Sequence, residues 1–212
     1  MNYFKIFKIL FLFNISLFAS NNLEKVSIQL SWKHQFQFAG YYVAKELGYY
    51  KDAGIDVSLK EFEYGMNISN MIENDKVDFA IGRSSLLIDK ANGKDVVALG
   101  AIFQNSPLVL LTIDPNLINL EDLISKKIMI TGDAKETASI SAMLNSHSIN
   151  FNELELQKHS FNINDLITKK TDVMASYLSN EPLVLDDKNI KYNIFDPKDY
   201  GFDFYSDILY SS

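Results

Sequence analysis

Apolar residues alternate with polar ones near the start of this sequence and then change to a helical spacing. Positions 26, 28 and 30 are apolar, which predicts a strand with one buried face. From position 36 the apolar residues recur at steps of three and four, which predicts a helix that turns Lys45 and Glu46 outward. The residues expected on the buried face of this helix are Phe36, Ala39, Val43 and Leu47.

Strands and helices are predicted to alternate through the remainder of the sequence. We predict further strands at 55–57, 77–82, 96–103, 108–113, 127–131, 153–158, 173–177, 192–195 and 204–210. We predict further helices at 68–75, 84–93, 135–147, 162–169 and 179–187. This alternation is typical of an α/β fold with mostly parallel sheets. The run at 108–113 is expected to cross into a second lobe, and the run at 204–210 to return to the first.

The first twenty residues have the composition of a secretory signal peptide. Lys5 and Lys8 precede an apolar run at 9–18, and two small residues follow at 19 and 20. This pattern predicts export across the inner membrane. An uncleaved membrane anchor is the alternative, because Leu17 makes the cleavage signature imperfect.

Composition excludes several classes of partner and site. The sequence has no cysteine, so it has no disulfide, no thiolate metal site and no lipid-modifiable cysteine after the leader. The net charge is -7, and it becomes -9 without Lys5 and Lys8 because residues 1–20 hold no acid. An acidic exported domain is a poor candidate for nucleic-acid binding.

Four segments carry a resemblance to a known family. They are WKHQFQFAGYYVAKELGYYKDAGIDV at 32–57, VDFAIG with RSSLL at 77–87, AIFQNSP at 101–107 and YLSNEP at 177–182. From about Val26 to Tyr210 the chain resembles the solute-binding family that includes the thiamine-pyrimidine-precursor-binding proteins of bacterial ABC transporters and the related yeast thiamine pyrimidine synthases. The resemblance implies a two-lobed periplasmic binding protein-like fold, in which each lobe is a mostly parallel sheet flanked by helices.

The predicted elements divide the chain into four expected parts. These are a signal peptide at 1–20, lobe 1 at 21–106, lobe 2 at 107–203 and a return strand toward lobe 1 at 204–212. Family members usually continue after the return strand with helices that complete the first lobe, whereas this sequence stops at Ser212. The sequence is therefore expected to be either a fragment or a protein whose first lobe is completed differently. In the fragment case, exposed apolar sheet faces are expected.

Ligands of open parallel sheets bind beyond the carboxyl ends of the strands, where loops and helix N-termini offer polar groups. This rule, together with the family's ligand position at the hinge between the lobes, selects ten candidate ligand-binding residues. They are Trp32, Gln35, Phe38, Tyr41, Ser84, Ser85, Gln104, Tyr177, Asn180 and Glu181.

Each main candidate also has a purely structural interpretation. Trp32 is placed to stack on a heteroaromatic ring, or it packs beneath the hinge. Ser84 and Ser85 face the cleft or cap a helix. Gln104 offers a donor and an acceptor to a ring edge, or it bonds hinge backbone. Glu181 accepts from an exocyclic amine, or it is an acid in the first turn of a helix.

No catalytic motif stands out, so an enzyme is not predicted. His34, His147 and His159 share no metal-ligand spacing, and solvent-facing or capping roles are expected for them. The synthases in the resembling family use a cysteine-rich motif for iron, which this sequence cannot supply. We expect neither a cofactor nor a metal.

The expected function is that of a periplasmic solute-binding protein. It would bind a small planar heterocycle, such as a formylamino- or hydroxymethyl-pyrimidine, and deliver it to an ABC permease. The alternative is an extracytoplasmic input domain of a sensor kinase or diguanylate cyclase, here as a fragment.

Overall fold

A computed structural model describes residues 22–132, 135 and 138–212. The predicted signal peptide at 1–20 lies outside these residues. The start of the predicted helix at 135–147 includes residues 136 and 137, which also lie outside them. The other predicted strands and helices, and this helix over Ala138–Ser146, are confirmed, with ends that differ by a few residues. In the described ranges no helix has the length and apolar character needed to cross a bilayer.

Ten strands form the framework of the described part of the chain. They are β1 (Glu24–Gln29), β2 (Ile55–Lys60), β3 (Phe79–Gly82), β4 (Val97–Phe103), β5 (Leu108–Thr112), β6 (Lys127–Ile130), β7 (Glu155–Lys158), β8 (Val173–Tyr177), β9 (Asn193–Phe195) and β10 (Ser206–Ser211). They make two five-stranded sheets, in the orders β2-β1-β3-β10-β4 and β7-β6-β8-β5-β9. We call the first sheet with its helices lobe 1 and the second lobe 2.

The two sheets follow the same plan. In each sheet four strands run in one direction, and the fourth strand in spatial order runs against them. In both cases the reversed strand is the one that arrives from the other lobe, since β5 follows β4 and β10 follows β9. Two chain segments therefore connect the lobes, and the predicted two-lobed fold with mostly parallel sheets is confirmed.

Seven α-helices within the described ranges cover parts of the sheets. They are α1 (Ala39–Glu46), α2 (Tyr49–Asp52), α3 (Ile68–Glu73), α4 (Leu86–Ala91), α5 (Ala138–Ser146), α6 (Asn164–Ile167) and α7 (Glu181–Asp187). Short 3-10 helices are found at Phe36–Phe38, Leu120–Leu123, Phe151–Glu153 and Pro197–Tyr200.

Lobe 2 has the larger core. Every residue of β5 and of β8 is buried, as expected for central strands that are covered on both faces. Residues of β6 and α5 complete a cluster that extends to Phe195 on β9. The apolar runs at 108–112 and 173–177 are therefore long enough and apolar enough to specify the centre of this sheet.

The predicted buried face of the first helix is wrong. Phe36 is 80 % exposed, and Val43 and Leu47 are also exposed. Phe38 is fully buried instead, and Tyr41 packs beside it against the core of lobe 1. This helical region carries apolar residues on two sides. The side with Phe38 and Tyr41 packs against the sheet, and the side with Val43 and Leu47 is exposed.

One part of lobe 1 leaves apolar residues uncovered. The edge strand β4 exposes Val97, Leu99 and Ile102, and α4 exposes Leu87 and Ile88. Side chains of β4 that point to opposite faces are exposed alike, since exposure extends over consecutive positions. This part of the sheet therefore lacks the cover that helices give elsewhere in the described structure.

Candidate ligand-binding site

A cleft of about 760 Å³ lies between the two lobes. Its walls come from residues that follow the carboxyl ends of β2, β3 and β6. The volume is within the range of small-molecule sites, and the position is the one expected for ligands of open parallel sheets. Residues that line it include Phe62, Tyr64, Asn67, Ser69, Ser85, Asp89, Lys94, Thr131 and Lys135.

Five aromatic side chains join the lobes beside this cleft. Trp32 and Phe62 follow β1 and β2, and their rings are parallel to 2° with centroids 6.4 Å apart. Phe161 and His159 follow β7, and their ring centroids lie 4.7 and 5.1 Å from that of Trp32. Phe161 also contacts Phe62 and Tyr64 edge-on. We call these five residues the aromatic cluster.

His159 is buried and holds Phe161 in place. Its Nε2 donates to the carbonyl oxygen of Ala175 over 2.9 Å, and its Nδ1 accepts from the backbone N–H of Phe161 over 2.9 Å. Burial lowers the pKa of His159, so the ring is neutral at pH 7. The expectation that this histidine faces solvent or caps a helix is wrong, because only 2 % of it is exposed.

A buried polar network lies at the hinge. Arg83 Nε donates to the Tyr177 hydroxyl over 2.8 Å, and this hydroxyl donates to Asp207 Oδ1 over 3.0 Å. Ser206 Oγ is 3.2 Å from the same phenolic oxygen, and Gln37 Nε2 donates to Asp207 Oδ2 over 3.3 Å. Burial raises the pKa of Asp207 to about 6, although Arg83, Tyr177 and Gln37 oppose the shift. Burial also raises the pKa of Tyr177.

A second, much smaller cavity lies beside this network. It measures about 10 Å³, which is room for one water molecule, and Trp32, Arg83, Tyr177 and Glu181 contribute to its wall. Glu181 Oε2 accepts from the backbone N–H of Tyr177, and Oε1 accepts from Asn180 Nδ2. The carboxylate of Glu181 therefore bonds its own turn and also borders the cavity.

Four of the predicted ligand-binding residues border these cavities. Trp32, Tyr177 and Glu181 line the small cavity, and Ser85 lines the large cleft. Ser84 precedes Ser85 in the sequence, and its Oγ accepts from the backbone N–H of Ala138 in lobe 2. Contact of these residues with a ligand stays a prediction.

The other predicted residues lie elsewhere. Phe38 is fully buried in the core of lobe 1, and Tyr41 packs against that core with a pKa raised to about 12 by burial. Gln104 is exposed and donates to the carbonyl oxygen of Ala101. Gln35 precedes the first 3-10 helix, and Asn180 bonds Glu181 as described above.

Several residues of the site were not among the sequence candidates. Arg83 follows the buried strand β3 directly, and a charged residue at that point is a signal that could have been used. Asp207 and Phe161 both have left-handed backbones, at φ of 46° and 59°, which sequence alone does not reveal for these residue types. Tyr64 lies in the loop after β2, where no apolar periodicity marks a residue as part of a site.

Within the ranges that the structure describes, no group of three His, Asp or Glu side chains is arranged to hold a metal ion. His34 and His147 bond Tyr42 and Glu121 respectively, which agrees with the surface roles expected for them.

Comparison with known families decides what kind of protein this is. Residues 35–212 match the family described as NMT1/THI5 like, which is more than half of the chain. The chain belongs to the NMT1/THI5-like family. This confirms the resemblance that the segments around Trp32, Gly82 and Tyr177 indicate.

Curated relatives of this NMT1/THI5-like chain have names that point to vitamin chemistry. A protein named for thiamine biosynthesis from Haemophilus influenzae is 26% identical over 88% of the chain and 60% of its own length. The riboflavin-binding protein RibY of Chloroflexus aurantiacus is 26% identical over 83% and 52%. A formylaminopyrimidine-binding protein of Halalkalibacterium halodurans is 22% identical over 88% and 58%. The chain thus spans about half to three-fifths of the length of these relatives.

Solved structures share the fold. A structure from Bordetella bronchiseptica superposes with a TM-score of 0.74 at 17% identity, over 90% of this chain and 64% of that one. The periplasmic aliphatic sulphonate binding protein SsuA of Escherichia coli gives a TM-score of 0.59 at 16% identity, over 89% and 61%. At these identities the likeness establishes the architecture of two lobes around a cleft.

Proposed function

We propose that this chain is the ligand-binding part of a non-catalytic, extracytoplasmic solute-binding protein that serves an ABC importer. We propose that its ligand is a small planar nitrogen heterocycle, such as a thiamine pyrimidine precursor. The observation that carries the proposal is the inter-lobe cleft of about 760 Å³ with an aromatic wall. Such a cleft takes a compact ring and leaves polar groups at its edges.

The chemistry of the wall supports a flat ligand. Tyr64 is 41 % exposed, so its ring offers surface at the cleft, and Phe62 lines the same cleft. Lys158 Nζ lies 4.3 Å from the centroid of the Tyr64 ring, which fixes the ring by a cation–π contact. A heteroaromatic ring that stacks on such a surface buries apolar area and can adopt a favourable ring–ring geometry.

Polar groups at the cleft suit the edge of the ring. Ser69 and Asn67 lie on the side of lobe 1, and Thr131 lies on the side of lobe 2. Lys94 Nζ forms an ion pair with Asp89 over 3.0 Å and donates to Ser69 Oγ over 2.9 Å. Hydroxyl and amide groups can donate and accept, which suits ring nitrogens and exocyclic amines.

The names of two relatives favour this ligand class. Formylaminopyrimidine and riboflavin, named for the Halalkalibacterium and Chloroflexus proteins, are both planar nitrogen heterocycles. The sulphonate binder that shares the fold has a different type of ligand, so the fold alone does not select the heterocycle.

Closure of the lobes would couple binding to delivery. The aromatic cluster and the Arg83–Tyr177 bond connect the lobes in this structure. A ligand that contacts both walls shifts the balance between open and closed forms by its differential affinity for the closed form. A permease can then recognise the closed form.

Isothermal titration calorimetry of the full 212-residue chain tests the proposal. Formylaminopyrimidine and hydroxymethylpyrimidine should give saturable binding, and taurine and arginine should not. Tyr64→Ala should weaken binding about tenfold because the stacking surface is lost. Tyr49→Ala removes another exposed tyrosine, on α2 and outside the cleft, and should leave affinity unchanged. Equal losses in both variants, or no binding by a folded wild-type chain, would refute the proposed ligand class.

A further inference from the structure

One serine at the inter-lobe cleft has a hydroxyl proton that no described group of the protein accepts. Ser69 lies on α3 and lines the cleft, although only 9 % of it is exposed. Its Oγ accepts from Lys94 Nζ over 2.9 Å. An ammonium can only donate, so this contact uses a lone pair of the hydroxyl and leaves its proton unused. Within the described ranges the proton has no other partner.

Lys94 makes the hydroxyl of Ser69 a donor toward the cleft. The positive charge beside Oγ polarises the hydroxyl, which strengthens it as a donor and weakens it as an acceptor of a second bond. If a ligand donated to Oγ instead, the serine proton would stay without an acceptor in a nearly buried place, which costs free energy. The favourable partner is therefore an acceptor atom on the ligand.

The ammonium of Lys94 is occupied by the protein. Its Nζ also lies 3.4 Å from Asn70 Oδ1 and 3.0 Å from Asp89 Oδ1. An ammonium has three protons, and these two oxygens and Ser69 Oγ match that number. Asp89 offsets the charge of Lys94 and borders the same cleft. Its carboxylate would repel an anionic group at this wall, which favours an uncharged acceptor.

The contact between Ser69 and Lys94 is held by the packing of lobe 1. α3 carries Ile72, and the turn after α4 leads into Val96, and both residues are buried in one apolar cluster. The backbone N–H of Lys94 donates to the carbonyl oxygen of Asp89 over 3.0 Å. Lys94 is thus fixed at its backbone and at its ammonium. The hydroxyl of Ser69 is therefore oriented before a ligand arrives, which lowers the entropic cost of binding.

We propose that Ser69 donates a hydrogen bond to an uncharged acceptor atom of the ligand, and that Lys94 is a positioning residue that fixes this polarity. The inference rests on the proposed function and names the kind of ligand atom that meets lobe 1. A formylaminopyrimidine has three such acceptors, which are its two ring nitrogens and its formyl oxygen. Its exocyclic amine is a donor and is expected to face away from Ser69.

Calorimetric titration of the full 212-residue chain with ligand analogues tests the assignment of Ser69. Three analogues of formylaminopyrimidine each weaken one acceptor. In two of them a C–H replaces a ring nitrogen, and in the third a sulfur, which is a weak acceptor, replaces the formyl oxygen. In the wild type, one analogue should bind about five- to tenfold more weakly through the loss of its bond to Ser69. In Ser69→Ala that penalty should disappear, because the bond is already absent.

Two further serine variants make this result specific. Ser69→Cys keeps the size of the side chain but offers only a weak donor, so it should lose most of the same penalty. Ser141→Ala is the matched control. Ser141 also lines the cleft, but its Oγ donates to the carbonyl oxygen of Lys135 over 2.9 Å, so its proton is already used. All three penalties should keep their wild-type values in Ser141→Ala.

The role of Lys94 has a separate readout. Lys94→Met removes the cation beside Ser69 and should reduce the penalty of the same analogue to less than about threefold. Lys94→Arg keeps a cationic donor and should preserve the penalty. A merely structural role would weaken the binding of all four ligands equally and would leave the penalty unchanged in Lys94→Met.

The outcomes separate this assignment from the function on which it rests. If the wild type binds formylaminopyrimidine but every penalty persists in Ser69→Ala and Ser69→Cys, the assignment of Ser69 is wrong and the ligand class stands. A full penalty in Lys94→Met would overturn the positioning role. If the wild type binds none of the pyrimidine probes, the proposed ligand class fails, and the hydrogen bond from Ser69 fails with it.

Discussion

The hydroxyl of Tyr177, at the end of β8 in lobe 2, donates a hydrogen bond of 3.0 Å to Asp207 on the strand that returns to lobe 1. Arg83, which follows β3, donates to the same oxygen over 2.8 Å. One phenolic oxygen thus joins three segments that are far apart in sequence, and all three residues are buried. Contacts of this kind hold the lobes in a defined orientation around the cleft.

Tyr177→Phe should lower the free energy of unfolding by about 1 to 3 kcal/mol. The substitution leaves a buried carboxylate and a buried guanidinium each with one partner fewer, which is costly inside a protein. Guanidinium chloride denaturation measures the change. Tyr192→Phe removes a hydroxyl that bonds Asp186 at the surface, and its effect should stay within about 0.5 kcal/mol. Equal effects would mean that the hinge network adds nothing to stability.

Stability should depend on pH through Asp207. Its pKa is about 6 in the folded protein against an ordinary value of 3.8, so the folded state holds this proton more tightly. The resulting stability is fully present below pH 3.8 and is lost as the pH rises through 6, by on the order of 2 to 3 kcal/mol. Unfolding of the wild type and of Asp207→Asn, measured between pH 4 and 7, tests this. Parallel profiles would contradict it.

Trp32→Ala should cost about 3 to 5 kcal/mol of unfolding free energy. Trp32 is 9 % exposed and contacts Phe62, Phe161 and His159, so its removal leaves a cavity. Urea denaturation gives the value. Leu47→Ala should change stability by less than about 0.5 kcal/mol, because Leu47 lies on the exposed side of its helix region. A large loss of stability in Leu47→Ala would instead support the prediction from the sequence that Leu47 lies on the buried face of this helix.

The exposed edge strand should cause self-association. Val97, Leu99 and Ile102 present apolar side chains on β4, and an uncovered edge invites pairing with another chain. Leu99→Lys should shift the chain toward monomer in light scattering after size-exclusion chromatography. Ile118→Lys, a matched change at an exposed position in lobe 2, should leave the distribution as it is. A wild type that is monomeric at high concentration would refute this prediction.

The periodicity of apolar residues predicted the strands and helices well. It predicted the wrong buried face for the helical region that begins at Phe36. Continuous apolar runs such as 173–177 match buried central strands, because only such strands tolerate so few polar residues. Phe36 and Phe38 are both apolar and two positions apart, so spacing alone cannot decide which is buried. The sheet decides it, and Phe38 enters the core.

The candidate site was predicted in part for a similar reason. The rule that ligands bind at the carboxyl ends of strands selected Trp32, Tyr177 and Glu181, which the structure brings to one small cavity. Their partners Phe161 and Asp207 lie on elements that are far away in sequence, and the folding of the two lobes against each other brings them to the site. The local pattern of one sequence predicts strands and helices, but it does not show which distant residues come into contact.

The exchange of strands between the two sheets has a consequence for how the chain matures. In the described sheet of lobe 1, β4 pairs only with β10, and Phe103 meets Ser206 about 100 residues later (206 − 103). Closing so long a loop is slow, since its entropy is lost before the pairing energy is gained. Lobe 1 therefore stays incomplete until all of lobe 2 has been synthesised.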